Sequence, residues 1–269
     1  MRSIASGSVA LAAACLMTAT LNAANGIQIT AKTTGDGNTQ TNQIQLDANH
    51  MRADTTGIIG DQTAVIFDGT KQVLDILHLD TKTYNELTKA DIDRLAGQMS
   101  DAMSRMNQAM ANMTPEQRAQ VEAMMRGRMG AAGRGAAPAR TQYRKTGTDK
   151  VGKWTCDKYE GYRNGQKISE LCTVPPSELG FTAADFAVTQ QMKEFVGKLM
   201  PQRADQMLSL GSPDLGFSGV PVRSIFYNSS GTQSTTELTD VSRQNVPEST
   251  FVVPSGFQKE PFAPMGRGR

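Results

Sequence analysis

Hydrophobic positions along the chain follow two periods, and the switches between them outline its elements. From Gly26 to Leu87 apolar residues recur at every second position, as in strands with one buried face. Ile27, Ile29 and Ala31 share a face of one strand, and Ile44 and Leu46 a face of the next. TAVIFDG is a short apolar run closed by the turn pair Asp68-Gly69, and QVLDILHLD sets Val73, Leu77 and Leu79 in alternation. DTKTYNEL then completes an antiparallel meander ending at Leu87.

At Thr88 the period becomes helical. Thr88 is the expected cap with Asp91 in the first turn, and Met99, Met103, Met106, Met110 and Met113 follow at steps of four, three, four and three. Thr114-Pro115 with Gln117 marks a second helix start, which predicts a Met-rich helical insertion over 88–129. The Gly-, Ala- and Arg-rich stretch over 130–142 has no period and reads as a flexible linker. Strands return at Gly152 and run to Val174.

FTAADFAVTQQMKEFVGKLM predicts another helix, with Thr182 as cap, Asp185 three residues on and Phe181 placed as a hydrophobic staple. Its apolar face is Phe186, Met192, Phe195, Val196 and Leu199, and Pro201 ends or bends it. Two strands around Ser230-Gly231 and a short last strand in TFVVPSGF follow, with 259–269 as a disordered tail. The order sheet, helices, sheet, helix, sheet predicts one α+β domain over 24–258. A curved antiparallel sheet covered by helices satisfies it, because every apolar face needs an opposing layer.

The N-terminus predicts export from the cytoplasm. One Arg precedes a small apolar run from Ile4 to Leu21, and a cleavage context follows at Leu21-Asn22-Ala23. This is the shape of a secretory signal peptide over 1–23, too diluted for the about 20 consecutive apolar residues of a membrane anchor. LAAAC also resembles a lipid-attachment site at Cys15, but the run stays apolar through Leu21 where a lipoprotein would turn to a polar tether. A periplasmic form without lipid is the expectation.

Export changes the reading of WTCDKYEGYRNGQKISELCTV. Cleavage after Ala23 leaves Cys156 and Cys172 as a pair, and an oxidising compartment favours their disulfide. With a strict two-residue Asn164-Gly165 turn they fall one residue out of register. A three-residue Arg163-Asn164-Gly165 loop, or a bulge in one strand, would repair the register, and the three-residue loop would set them face to face. Closing such a loop contributes about 3 kcal/mol in the chain-entropy model. A metal site lacks a nearby His, and a redox pair would need Cys-x-x-Cys spacing.

The segment KTGTDKVGKWTCDKYEGYRNGQKISELCTV resembles the bacterial envelope proteins of domain-of-unknown-function family 4412. So do the FDG turn at Phe67 to Gly69, the TKTYNELTKAD run into a helix, TPEQRAQVEAMMRGRMG and the closing VPESTFVVPSGF. The resemblance implies the fold of lipoprotein carriers, an unclosed β-barrel around an apolar space with helices as cover. It implies no catalytic residues.

Composition adds little chemistry. The formal charge of +2 gives no argument for nucleic acid or an acidic polymer. His50 and His78 are the only imidazoles and no nucleophile motif accompanies them, so no enzyme is expected. Tyr84 and Glu86 share a strand face, yet nothing else converges on them. Thioethers of the methionine stripe suit Cu(I), but also pack flexibly against irregular apolar partners. The expectation is a non-enzymatic periplasmic protein binding a lipid, another apolar ligand or an envelope partner between sheet and helices. Met99, Met103, Met106, Met110 and Phe195 are the candidate contacts, with no cofactor and no metal. A Met-based copper protein and a structural component without a small ligand are the alternatives.

Overall fold

The computed structural model describes residues 23–35, 37–56, 62–114, 116–117, 120, 140–199, 215–227, 231 and 233–262. Six strands come first: β1 (Ala23–Gly35), β2 (Asn38–Leu46), β3 (His50–Thr56), β4 (Gln62–Asp68), β5 (Val73–His78) and β6 (Thr83–Thr88). Helix α1 (Lys89–Ala111) leads toward β7 (Gln142–Val151), β8 (Trp154–Arg163) and β9 (Gln166–Val174). Two single 3-10 turns and α2 (Ala187–Gly197) separate β9 from β10 (Val220–Tyr227), β11 (Gln233–Pro247) and β12 (Gln258–Glu260).

All twelve strands join one sheet in the order β12-β6-β5-β4-β3-β2-β1-β11-β10-β9-β8-β7. Every pairing is antiparallel except β12 on β6. The long β1–β11 ladder, from Ala23 opposite Pro247 to Gly35 opposite Ser234, joins the first meander to the second. β7 and β12 remain the two edges, so the barrel is unclosed.

Curvature follows from what the core joins. Leu46, Phe67 and Leu74 from one wing belong to the same buried cluster as Trp154, Cys172 and Val222 from the other. Ile92 of α1 and Val188, Met192, Phe195 and Val196 of α2 belong to it too. The fold is α+β, a curved unclosed sheet partly covered by two helices. Residues alternating with these core positions form two smaller clusters on the other face. Ala64, Ile66 and Leu77 lie under Val246 and Phe251, and Tyr159 and Leu171 under Leu215 and Phe217.

Local chemistry sets the helix starts as expected. The Asp91 amide donates to Thr88 Oγ1, while the Thr88 amide and hydroxyl donate to Asp91 Oδ2. Before α2, the Thr182 amide and hydroxyl both donate to Asp185 Oδ2, and the Phe181 and Phe186 rings meet edge to face at 5.3 Å. The Thr114–Gln117 reciprocal cap is present as well. The rest of the expected second helix, the linker over 130–139, the signal peptide over 1–22 and Pro201 lie outside the described residues.

Four expectations need correction. β7 begins at Gln142, where a linker was expected to end and ten residues before strands were expected to resume. It is an edge strand with mostly exposed side chains, so pairing with β8 makes it, and no hydrophobic alternation announces it. TFVVPSGF is not a strand: Phe251 ends a 3-10 turn, and Pro254 and Gly256, with φ of +90°, carry the chain round to β12. Residues 259–262, read as the start of a disordered tail, are placed, with the Asn85 amide donating to the Glu260 and Pro261 carbonyls.

The fourth concerns the disulfide. Cys156 and Cys172 are bonded, with Cα atoms 5.3 Å apart. The loop, however, has two residues: Arg163 pairs with Gln166, and Asn164 and Gly165 take φ of +52° and +78°, as a type I′ turn requires. A bulge at Ile168 then shifts the register, so Cys172 lies opposite Lys158 and bonds Cys156 diagonally on the same face.

Candidate functional site

α1 is anchored in the core at its start. Ile92 is buried in the core, and Leu95 packs against it half-buried. Asp93 ties this end to α2 through Lys198, at 2.6 Å. The same helical face then runs out of the body. Met99, Met103 and Met106 are 51%, 55% and 37% exposed, and Met110 is half-buried. Phe195, by contrast, is buried on α2 with its ring 5.4 Å from that of Phe67. The five candidate contacts therefore do not line one space between sheet and helices. That space is filled by the protein's own side chains, and the methionines form an outward stripe continuous with the core-facing edge of α1.

A second feature escaped sequence reasoning. On β8 to β10, the strand face that carries Cys172 in the core turns polar farther along. The Glu170 carboxylate receives Lys167 Nζ at 2.7 Å, Tyr227 Oη at 2.7 Å and Lys158 Nζ at 3.1 Å. Glu160 receives Lys167 at 3.0 Å and the Tyr162 hydroxyl at 2.8 Å. Burial opposes ionisation of Glu170, but its three donors outweigh this and bring its pKa from 4.5 to about 2. The hydrogen bond to Glu170, then that to Glu160, raises Lys167. Alternation of Lys158, Glu160 and Tyr162 was the available signal, but their partners come from β9 and β10. Both carboxylates are filled by these donors, so the array braces the sheet and leaves them little capacity for a ligand.

His50 occupies a built position without a reacting partner. Its Nδ1 lies 3.0 Å from both oxygens of the buried Asp47, and its ring stacks on Phe251 at 5.3 Å. Nε2 points toward Asp68 at 3.9 Å. The imidazole thus clamps the C-terminal segment to the sheet. His78 is exposed beside Asn85, and Tyr84 packs against the outer cluster with Leu77. Among the described residues no group of three or more His, Cys, Asp or Glu could hold a metal ion, and no helix is long and apolar enough to cross a membrane.

The family whose pattern matches residues 88–257 is described as Domain of unknown function (DUF4412). This chain belongs to that family. The DUF4412 match spans α1, the disulfide hairpin, α2 and β10 to the Phe251 turn, and it excludes β1 to β5 and the FDG turn. No curated protein matches the sequence. Among solved structures, an uncharacterized conserved protein from Thermus thermophilus is similar with a TM-score of 0.46 and 9% identity, over 90% of this chain and 93% of that one. A LolA superfamily protein from Nitrosomonas europaea gives 0.30 and 7%, over 86% and 90%. The Pseudomonas aeruginosa MucA/MucB complex gives 0.34 and 12%, over 88% of this chain and 57% of that one. None of these scores is high enough to define the fold, which rests on the strand topology itself.

Proposed function

We propose that this DUF4412 protein is a non-enzymatic periplasmic binding protein that offers the α1 methionine stripe to an apolar ligand or envelope partner. The observation that carries this reading is the continuity of one helical face, buried at Ile92 and exposed from Met99 to Met106. A helix face that stays apolar after leaving its own core has area to bury against something else. Methionine suits such a contact, because its unbranched polarizable chain adapts to irregular apolar surfaces. The leader-like N-terminus and the Cys156–Cys172 disulfide support an oxidising envelope compartment.

The test is native mass spectrometry with envelope crosslinking on protein isolated gently from the periplasm, beside a variant with Met99, Met103 and Met106→Gln. The reading expects an apolar adduct or a crosslinked partner in the parent and its loss in the variant. Equal capture by both proteins overturns it. A stoichiometric Cu(I) adduct that Met→Leu substitution abolishes would assign the stripe to metal instead.

A further inference from the structure

Independently of the α1 stripe, we infer that the β7 edge of the sheet is an interaction surface for an anionic lipid bilayer, carried by Arg140, Arg144, Lys145, Lys150 and Lys153. The strand order separates charges that nearly cancel in the chain as a whole. Residues 23–88, which supply β1 to β6, hold four basic and eight acidic side chains, a net of −4. Residues 140–174, which supply β7 to β9, hold eight basic and four acidic, a net of +4. The first group lies toward the β12 edge and the second at the β7 edge, so the sheet is polarised from one edge to the other. A near-neutral total conceals this field.

The basic end is concentrated on its outermost strand. All five cations are exposed, on β7 or just past its ends. Lys145 pairs with Asp157 at 2.7 Å, while the other four close no ion pair among the described residues. Arg144 and Lys153 lie over the rings of Tyr162 and Trp154, at 5.7 and 5.1 Å. Asp149, the acid of β7 itself, is taken by Arg223.

Charged side chains also protect an edge strand from unwanted pairing, but Arg140 and Lys153 lie beyond the strand and have no edge to protect. β7 is blunted by other means. A bulge interrupts its register at Thr146, and Asp149 Oδ1 accepts the Lys150 amide at 2.7 Å. Gly216 packs so closely that an added Cβ would lie 2.5 Å from the Tyr143 carbonyl oxygen. These features oppose an added peptide strand as the occupant. A row of exposed cations along a sheet edge fits phosphates spread over a surface instead, where each Lys or Arg strengthens binding about fivefold.

The test is flotation of the protein isolated from the periplasm with phosphatidylcholine vesicles, with and without phosphatidylglycerol. Flotation is expected only with phosphatidylglycerol, and its loss in about 1 M salt, where the screening length falls to about 3 Å. Arg144→Glu, Lys150→Glu and Lys153→Glu combined should weaken binding about a hundredfold, and the milder Lys150→Gln with Lys153→Gln about twenty-fivefold. Lys32→Glu, Lys82→Glu and Arg105→Glu combined make the same charge change at exposed sites away from this edge, and should cost less than about fivefold. The Met99, Met103 and Met106→Gln variant should float like the parent, so that failure of this surface and failure of the stripe are told apart. Equal flotation with neutral vesicles, equal loss in the two triple-Glu variants, or no flotation at all overturns the bilayer as occupant. Loss in the methionine variant alone moves the lipid to α1 and overturns the β7 edge. A parent that ignores vesicles yet binds polyglutamate through Arg144, Lys150 and Lys153 makes an acidic protein the partner and overturns lipid.

Discussion

Asp75 faces Glu86 directly across the β5–β6 ladder, so two carboxylates share one patch on the outer side of the sheet. Glu86 is answered by Lys259 of β12 at 2.7 Å, while Asp75 Oδ1 is buried without a hydrogen-bond partner. Burial first, then the neighbouring Glu86 charge, lifts Asp75 from 3.8 to about 6.

The raised value makes ionised Asp75 a cost to the fold. Above about pH 6 the folded protein must hold the charge, whereas below about pH 4 both folded and unfolded Asp75 are protonated. Asp75→Asn is therefore expected to stabilise the protein by on the order of 1–2 kcal/mol at pH 7.5, after discounting for partial exposure. The difference should shrink toward zero by pH 4. Urea denaturation of both proteins across this range checks it, and a constant difference would contradict the assignment.

Glu170 has the opposite sign. Its folded pKa of about 2 lies below the ordinary 4.5, so its stabilisation is present above about pH 5 and disappears as pH falls through the folded value. Glu170→Gln should cost on the order of 1–2 kcal/mol at pH 7, because the charged acceptor shared by Lys167, Lys158 and Tyr227 becomes a neutral amide with a single accepting oxygen. The cost should fade toward pH 2. Parallel denaturation curves at pH 7 and pH 3 measure the change.

The diagonal disulfide ties β8 to β9 beside the bulge at Ile168. Replacing both Cys156 and Cys172 by Ala is expected to lower stability by about 3 kcal/mol. Urea midpoints of the variant and of the parent with and without reductant provide the measurement. Reduction and substitution should agree in direction.

Gly161 is packed under aromatic and polar neighbours on the outer face. A Cβ there would lie 2.3 Å from Ser169 Oγ and 2.6 Å from Tyr143 Cε1. Gly161→Ala should therefore cost about 1–3 kcal/mol through overpacking. Loss of the Tyr143 hydroxyl's contact with Ser169, now at 3.1 Å, should accompany it. Thermal melts read the first effect and the environment of Tyr143 in a nuclear magnetic resonance spectrum the second.

Elements whose causes are local can be read from the chain alone. Alternation at Ile27, Ile29, Ile44 and Leu46 is enough for half-buried strands, and Thr88 with Asp91 and Thr182 with Asp185 fix helix starts through hydrogen bonds spanning three residues. Export chemistry and hairpin spacing together brought Cys156 to Cys172. Whatever depends on a partner far along the chain emerges only on folding. β7 is a strand because β8 offers it a ladder, and β12 is one because β6 does. The shift at Ile168 makes the disulfide diagonal, and contacts across three strands fill the Glu170 carboxylate. The methionine stripe shows the division most clearly. Its helical spacing was legible in the chain, but periodicity reports only that residues share a face. Whether that face is buried depends on where the rest of the sheet ends, and at Met99, Met103 and Met106 it is exposed.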